Sequence, residues 1–317
     1  MKLETKVNLG DPSIVFVAVA TVVLLGIFTP PLLGMWQIRL LETPTLSGGI
    51  VEFALLVIFG IMVGAYGTLI GAGGGFIMVP VMLLVLGMTP QRAVGTSLTV
   101  VFLNGLSGTL SYLKQRRVDV GTGWQFALAT VPGAVLGAYL SVFFTARLFQ
   151  VIFGLLLVGL SLFLVWRPGD AAGEARPKLS GRFDVYRVLV DAHGITYAYS
   201  YNRVYGLLLS FVVGFLSSIF GIGGGVIHVP AMVHLFGIPA HVASATSHFI
   251  LAISSSVGAA THIALGHVDF WMAAPLGLGV IFGAQIGAAL SRRLRGSLIV
   301  RLLSLALTLV GLRLLFL

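Results

Sequence analysis

The segment IGAGGGFIMVPVML (Ile70 to Leu83) recurs as FGIGGGVIHVPAMV (Phe220 to Val233), so that Gly73, Gly74 and Gly75 stand 150 positions before Gly223, Gly224 and Gly225. The same offset of 150 aligns Pro80 with Pro230, Gly87 with Gly237, Thr96-Ser97 with Thr246-Ser247 and Gly108 with Gly258. It also aligns Val118-Asp119 with Val268-Asp269, and GAVLGAYLS (Gly133 to Ser141) with GAQIGAALS (Gly283 to Ser291). A chain duplicated in this way folds as two copies of one unit. Each copy carries a break, because every glycine in the triplet lowers helix propensity by about 1 kcal/mol against alanine.

Hydropathy decides the solvent. With 57% hydrophobic residues, 9% charged and a mean hydropathy of +1.04, the chain has too little polar surface for a water-soluble globule. Apolar runs of spanning length lie near 15–34, 50–69, 92–113, 123–144, 148–166, 203–220, 241–265, 271–290 and 296–317, each close to the ~20 residues a bilayer needs. The glycine segments, near 73–87 and 223–237, are shorter: about 15 helical residues cover roughly 22 Å of a ~30 Å hydrocarbon core. The fold class is an all-α polytopic membrane protein.

Loop charge sets the orientation. Lys114, Arg116 and Arg117 follow one span, Arg167, Arg176, Lys178, Arg182 and Arg187 fill the central linker, and Arg292, Arg293 and Arg295 follow another. Positive loops mark the cytoplasm. All three clusters are cytoplasmic only if the glycine segments cross the membrane, and Gly266 to Asp269, without Lys or Arg, is then external. Five spans per copy make the second copy upside down relative to the first, the inverted-repeat arrangement with a site at the midplane. The expected organisation is an N-terminal tail, extra transmembrane helix and loop (1–49), a first repeat (50–166), a cytoplasmic linker (167–202) and a second repeat (203–317). The stretch before Pro30-Pro31 lacks a small-residue cleavage site, so no removable signal peptide is expected. Within the linker, FDVYRVLVD (Phe183 to Asp191) and ITYAYSY (Ile195 to Tyr201) flank Ala192-His193-Gly194 and read as a small β-hairpin tethering the repeats.

Several functions are excluded. The chain has no cysteine, which removes disulfides, thiolate catalysis and thiolate-bound metal. Phe76 and Val226 stand where a dinucleotide fingerprint needs its third glycine, so no nucleotide or nucleic acid is expected as a partner. No cofactor and no catalytic or metal cluster is expected, and the protein is read as no enzyme. The spacings Gly133-x-x-x-Gly137 and Gly283-x-x-x-Gly287 read as helix packing.

Broken backbone survives in a membrane only where it is buried in protein or faces a wet cavity, and the helix restarting after each glycine triplet points its N–H groups and positive dipole end there. Every Asp and Glu falls in a loop, a tail or a span end, whereas a cation carrier places carboxylates at depth. Positive ends and neutral donors without fixed negative charge suit an anion. The expected substrate-binding set is Gly73, Gly74, Gly75, Thr96, Ser97 and Asn104 from the first copy, with Gly223, Gly224, Gly225, His228, Thr246, Ser247, His248 and Ser254 from the second. His228, His248 and His262 replace Met78, Leu98 and Tyr112 of the first copy. Histidines confined to one copy suit a task done by one half alone, such as coupling transport to a proton.

The paired Gly-x-Gly-Gly-Gly-x-x-x-x-Pro segments, each followed by a Gly-containing turn and Thr-Ser, with Gly266 to Phe270 (Gly-x-Val-Asp-aromatic) later, resemble the sulfite exporter TauE/SafE family of permeases. In the first copy Val118-Asp119 lacks the preceding glycine and the following aromatic. The resemblance implies a secondary transporter in the cell inner membrane, multi-pass and embedded in the lipid bilayer. It further implies export of sulfite, sulfoacetate or a related organosulfur anion by alternating access between the two glycine breaks. An anion channel with the same polar lining is the alternative.

Overall fold

The computed structural model describes residues 46–166 and 183–316; the span expected at 15–34 and the basic residues Arg167, Arg176, Lys178 and Arg182 lie outside them. The first half consists of α1 (Leu46–Ile70), α2 (Gly75–Leu84), α3 (Pro90–Lys114), α4 (Val120–Leu140) and α5 (Ala146–Trp166). A two-stranded antiparallel hairpin follows, β1 (Asp184–Val190) paired with β2 (Thr196–Asn202). The second half is α6 (Arg203–Phe220), α7 (Gly225–His234), α8 (Ala240–Ala264), α9 (Phe270–Ser291) and α10 (Gly296–Phe316). Eight of these helices are long and apolar enough to cross a membrane, and α2 and α7 have 10 residues each. The chain is an all-α polytopic membrane protein with one small sheet.

Glycine stripes set how closely the helices approach. α1 runs parallel to α9: a Cβ added at Gly279, Gly283 or Gly287 would strike the backbone of Val57, Ile61 or Ala65. α6 lies likewise along α4, with Gly133 and Gly137 against the backbone of Phe211 and Phe215. Bare backbone is what lets membrane helices touch at this range, so the two Gly-x-x-x-Gly spacings are packing seams.

Equivalent helices α3 and α8 cross antiparallel over their whole length. Gly95 meets His262, Leu98 meets Gly258, Gly105 meets Ala252 and Gly108 meets His248. The same holds for α5 and α10, where Gly154 packs on Gly311 and Ser161 bonds to Ser304 at the other end. Contacts are therefore reciprocal: residue i of one half touches j of the other, and their 150-offset counterparts touch in turn.

The hairpin turn and the C-terminal end of α9 share one end of α3, since the Ala192 amide donates to the Gln115 carbonyl (3.0 Å) and Gln115 Nε2 donates to the Ala288 carbonyl (3.0 Å). At the opposite end of α3, the Asp269 amide donates to Thr96 Oγ1. Outward-facing Leu, Phe, Val and Trp side chains cover the helical surface, with Trp166 (81% exposed) and Trp271 (83%) at helix ends, the level where tryptophan meets the headgroups.

Candidate functional site

The site is built on the two glycine turns. After α1, Gly71, Gly73 and Gly74 take φ of 80°, 78° and 82°, and after α6, Gly221, Gly223 and Gly224 take 72°, 71° and 83°. Only glycine adopts this left-handed region at low cost, so these glycines are what lets α2 and α7 restart after each turn. The turns abut: a Cβ at Gly75 would strike the Gly221 carbonyl, and one at Gly225 the Gly71 carbonyl.

Each Thr-Ser pair ties two elements to this junction. Ser97 Oγ donates to the Gly221 carbonyl (2.8 Å) and Ser247 Oγ donates to the Gly71 carbonyl (3.1 Å). Thr96 and Thr246 accept from the amides of Asp269 (2.9 Å) and Asp119 (3.0 Å), holding the loops that open α9 and α4. Val101 and Leu251, also 150 residues apart, fill the space beside Gly73 and Gly223.

Polar chemistry then departs from symmetry. On the first-turn side, Asn104 Nδ2 donates to the Gly73 carbonyl (3.1 Å), Thr68 Oγ1 donates to Asn104 Oδ1 (3.1 Å), and His248 Nε2 meets Thr68 Oγ1 (3.1 Å). Tyr112 donates its hydroxyl proton to the Thr68 carbonyl (2.8 Å). On the other side Ser254, Ser218, Leu98 and His262 occupy the equivalent positions, and His262 Nε2 meets the Ser218 carbonyl (3.0 Å). The hydroxyls of Ser254 and of Ser217, which faces Gly224, are buried without a hydrogen-bond partner. Unpaired buried donors are costly in an apolar interior, which marks both as candidate ligands.

All fourteen residues expected from the sequence are buried. The six glycines, Ser97, Ser247, Asn104 and His248 come together at the junction. Thr96 and Thr246 stand at the loops, and His228 keeps Nδ1 beside Gly224 while its Nε2 reaches away to Ser210 Oγ (3.2 Å) and its ring stacks on Phe126 (6.5 Å, 16°). Thr68, Tyr112, Ser217 and Ser218 were not expected. Thr68 and Ser218 share the 150 offset, a signal that could have found them.

The hairpin clamps the loop between α3 and α4. Arg117 pairs with Asp191 (3.4 Å), both buried, and Asp119 caps α4 through the Thr122 amide (3.0 Å) while accepting from Tyr199 (2.7 Å) and facing Arg187 (3.7 Å). Burial opposes ionisation of Asp191, but the amides of Ile195 (3.0 Å) and His193 (2.8 Å), with Arg117, outweigh it and hold the carboxyl below the usual range. Burial, reinforced by Asp119, pushes the Tyr199 phenol upward. A separate groove between α1, α2 and α9, lined by Leu55, Phe59, Met62, Met82, Leu86 and Leu276, is apolar.

The profile described as sulfite exporter TauE/SafE matches residues 55–314, spanning both glycine turns and everything that packs on them. The chain belongs to the sulfite exporter TauE/SafE family. It is 40% identical over 272 residues to "Probable membrane transporter protein YunE" of Bacillus subtilis (strain 168), covering 84% of this chain and 98% of that protein. It is 30% identical over 222 residues to "Probable membrane transporter protein ORF9" of Sinorhizobium sp, covering 69% and 76%. With "Probable membrane transporter protein YfcA" of Escherichia coli (strain K12) it shares 25% identity over 240 residues, covering 75% and 79%. No solved structure matches the chain. As a TauE/SafE protein it is a multi-pass membrane transporter, and the family and its relatives are named for transport, not for catalysis.

Proposed function

We propose that this transporter is a secondary carrier that exports sulfite, sulfoacetate or a similar small sulfur-containing anion across the cell inner membrane by alternating access. The observation that carries the reading is the junction itself: two restarted helices meet backbone to backbone among neutral donors. Among the described residues, Glu52, Asp119, Asp184, Asp191 and Asp269 all lie at helix ends or in the hairpin. Helix N-termini favour an anion, and a mid-membrane carboxylate would oppose one.

In this mechanism the anion is bound by backbone N–H groups of Gly74, Gly75, Gly224 and Gly225, which the left-handed Gly73 and Gly223 present, and by Asn104, Ser217, Ser254 and His248. Ser97 and Ser247, which donate to turn carbonyls here, and Thr96 and Thr246, which accept from loop amides, exchange those bonds for substrate as the halves rock, and His228 tunes the second turn. The antiparallel crossing of α3 on α8 and of α5 on α10 supports reading 50–166 and 203–317 as inverted repeats, a frame that carriers use to expose one site to each side in turn.

A carrier accounts for the junction better than a channel does, because Val101 and Leu251 close it and the Ser97 and Ser247 bonds tie the halves together. Purified protein in liposomes, tested with sulfite, sulfate, thiosulfate, sulfoacetate and a carboxylate without sulfur, should move sulfur anions in preference to the carboxylate. Cation flux with no anion flux would refute the proposal.

A further inference from the structure

The hydrogen bonds around His248 have a fixed direction. The Gly73 carbonyl can only accept, so the amide nitrogen of Asn104 faces it and Oδ1 faces Thr68. Oδ1 can only accept as well, so the one hydroxyl proton of Thr68 is donated to Asn104. The Thr68 oxygen is left as an acceptor toward His248, and Nε2 must carry the hydrogen in that 3.1 Å contact. A neutral imidazole has one N–H. Nδ1 of His248 therefore holds a lone pair, buried and without a hydrogen-bond partner, with the Ser244 carbonyl one turn back beside the ring. A lone pair set beside a carbonyl is an unmet place for a proton.

We propose that Nδ1 of His248 is the site at which this transporter takes up a coupling proton, and that Thr68 and Asn104 link its protonation to the first glycine turn. The proton adds to the Nδ1 lone pair, turns to the Ser244 carbonyl and leaves both ring nitrogens as donors. The positive charge so formed has Tyr112 edge-on at 5.6 Å from α3, Thr68 from α1 and the bare Gly108 backbone over the ring. Tyr112 is the only titratable member of that set, and it supplies no negative charge. The imidazolium is instead neutralised by the transported anion at the adjacent junction, so proton and anion bind together and leave together. A monovalent anion then crosses with no net charge. The second half cannot do this, because Leu98 stands where His248 does.

The other buried histidines do not reach the first glycine turn. His262 Nε2 donates to the Ser218 carbonyl, and its Nδ1 already meets Nδ1 of His267 (3.1 Å). Ser210 donates to the Gly206 carbonyl (2.8 Å) and accepts from His228, so that chain ends inside α6. Thr68 is a positioning residue in this scheme, and its conservative variant should rescue it.

The inference rests on the carrier reading above, and two measurements separate their failures. In liposomes holding a pH-sensitive dye, a methanesulfonate gradient should drive proton movement in the native protein. His248→Gln and Thr68→Val should each lower the proton flux per anion at least tenfold, while Thr68→Ser keeps it. Nitrogen-15 NMR of histidine-labelled protein, assigned with His248→Gln, should show an Nε2–H ring that Thr68→Val removes, and protonation of Nδ1 when methanesulfonate binds. Proton flux unchanged in His248→Gln, loss of coupling in Thr68→Ser, or an Nδ1–H ring in the native protein would each overturn the proposal. If no anion moves, the carrier reading falls, and the ring spectrum with bound anion still decides the proton site.

Discussion

Replacing Gly224 by alanine separates the two roles of a glycine in the turn. At φ 83° an alanine costs about 1–2 kcal/mol through its Cβ. The added carbon would lie 3.0 Å from Val213 Cγ1 and 3.5 Å from His228 Nδ1, a fit that needs only a few tenths of an ångström of give. Gly237, at φ 63°, carries the same backbone penalty with nothing within 4 Å of an added Cβ and lies outside the junction. Gly225 has no backbone penalty, but its Cβ would meet the Gly71 carbonyl and the Ala72 Cα at 2.9 Å, backbone of the other half that can yield only if the halves part. Overpacking of that kind costs about 1–3 kcal/mol. All three variants should therefore unfold at lower temperature when followed by tryptophan fluorescence in detergent. Their affinity for a radiolabelled alkyl sulfonate should divide them: Gly237→Ala binds as the native protein does, whereas Gly224→Ala and Gly225→Ala bind roughly 5–30-fold more weakly, the factor that 1–2 kcal/mol represents. Equal affinity in all three, at matched losses of stability, would assign the glycines to packing alone.

Three further outcomes follow from the geometry. Leu251→Ala removes half of the apolar closure of the junction; it should cost about 2–5 kcal/mol of stability and give folded protein that leaks anions passively through liposomes, and a tight variant would deny the side chain that role. Single cysteines at His193, Arg295 and His267, probed on intact cells with an impermeant thiol reagent, should label only at 267, and labelling at 295 would remove the inverted-repeat topology. Asp191→Asn breaks the buried pair with Arg117 and should loosen the hairpin by about 3–5 kcal/mol, read as faster proteolysis within 183–202. Because the folded carboxyl is held below its usual range, its contribution is fully present above about pH 4 and is lost as pH falls through the folded value, so native hairpin protection should decline in acid while Asp191→Asn shows no such decline.

The architecture was legible because each span needs an unbroken apolar run, and the eight long helices fall within a few residues of the hydropathy runs. The breaks were equally plain, since a glycine triplet has few other uses in a membrane. Less could be read of the polar side chains. Thr96 and Ser97 look alike as donors, yet one accepts from a loop amide and the other donates to the opposite turn, a division that depends on how α3 lies across α8. Val118-Asp119 lacks the glycine of its counterpart because Arg116 itself takes the left-handed conformation (φ 52°) that Gly266 takes in the second copy (φ 72°). Asp119 and Asp269 nevertheless cap α4 and α9 alike. The hairpin was visible as two strands, but its grip on Arg117 and Asp119 joins positions more than 70 residues apart, and no local pattern announces it.

The central claim, that one site between the glycine turns is exposed to each side in turn, is tested most directly by counterflow. Liposomes preloaded with unlabelled methanesulfonate and diluted into trace labelled methanesulfonate should accumulate label above its equilibrium level, saturably, and the combined variant Ser217→Ala and Ser254→Ala should lose most of that accumulation while remaining folded. Label that equilibrates without overshoot and without saturation would show an open pore and contradict the account.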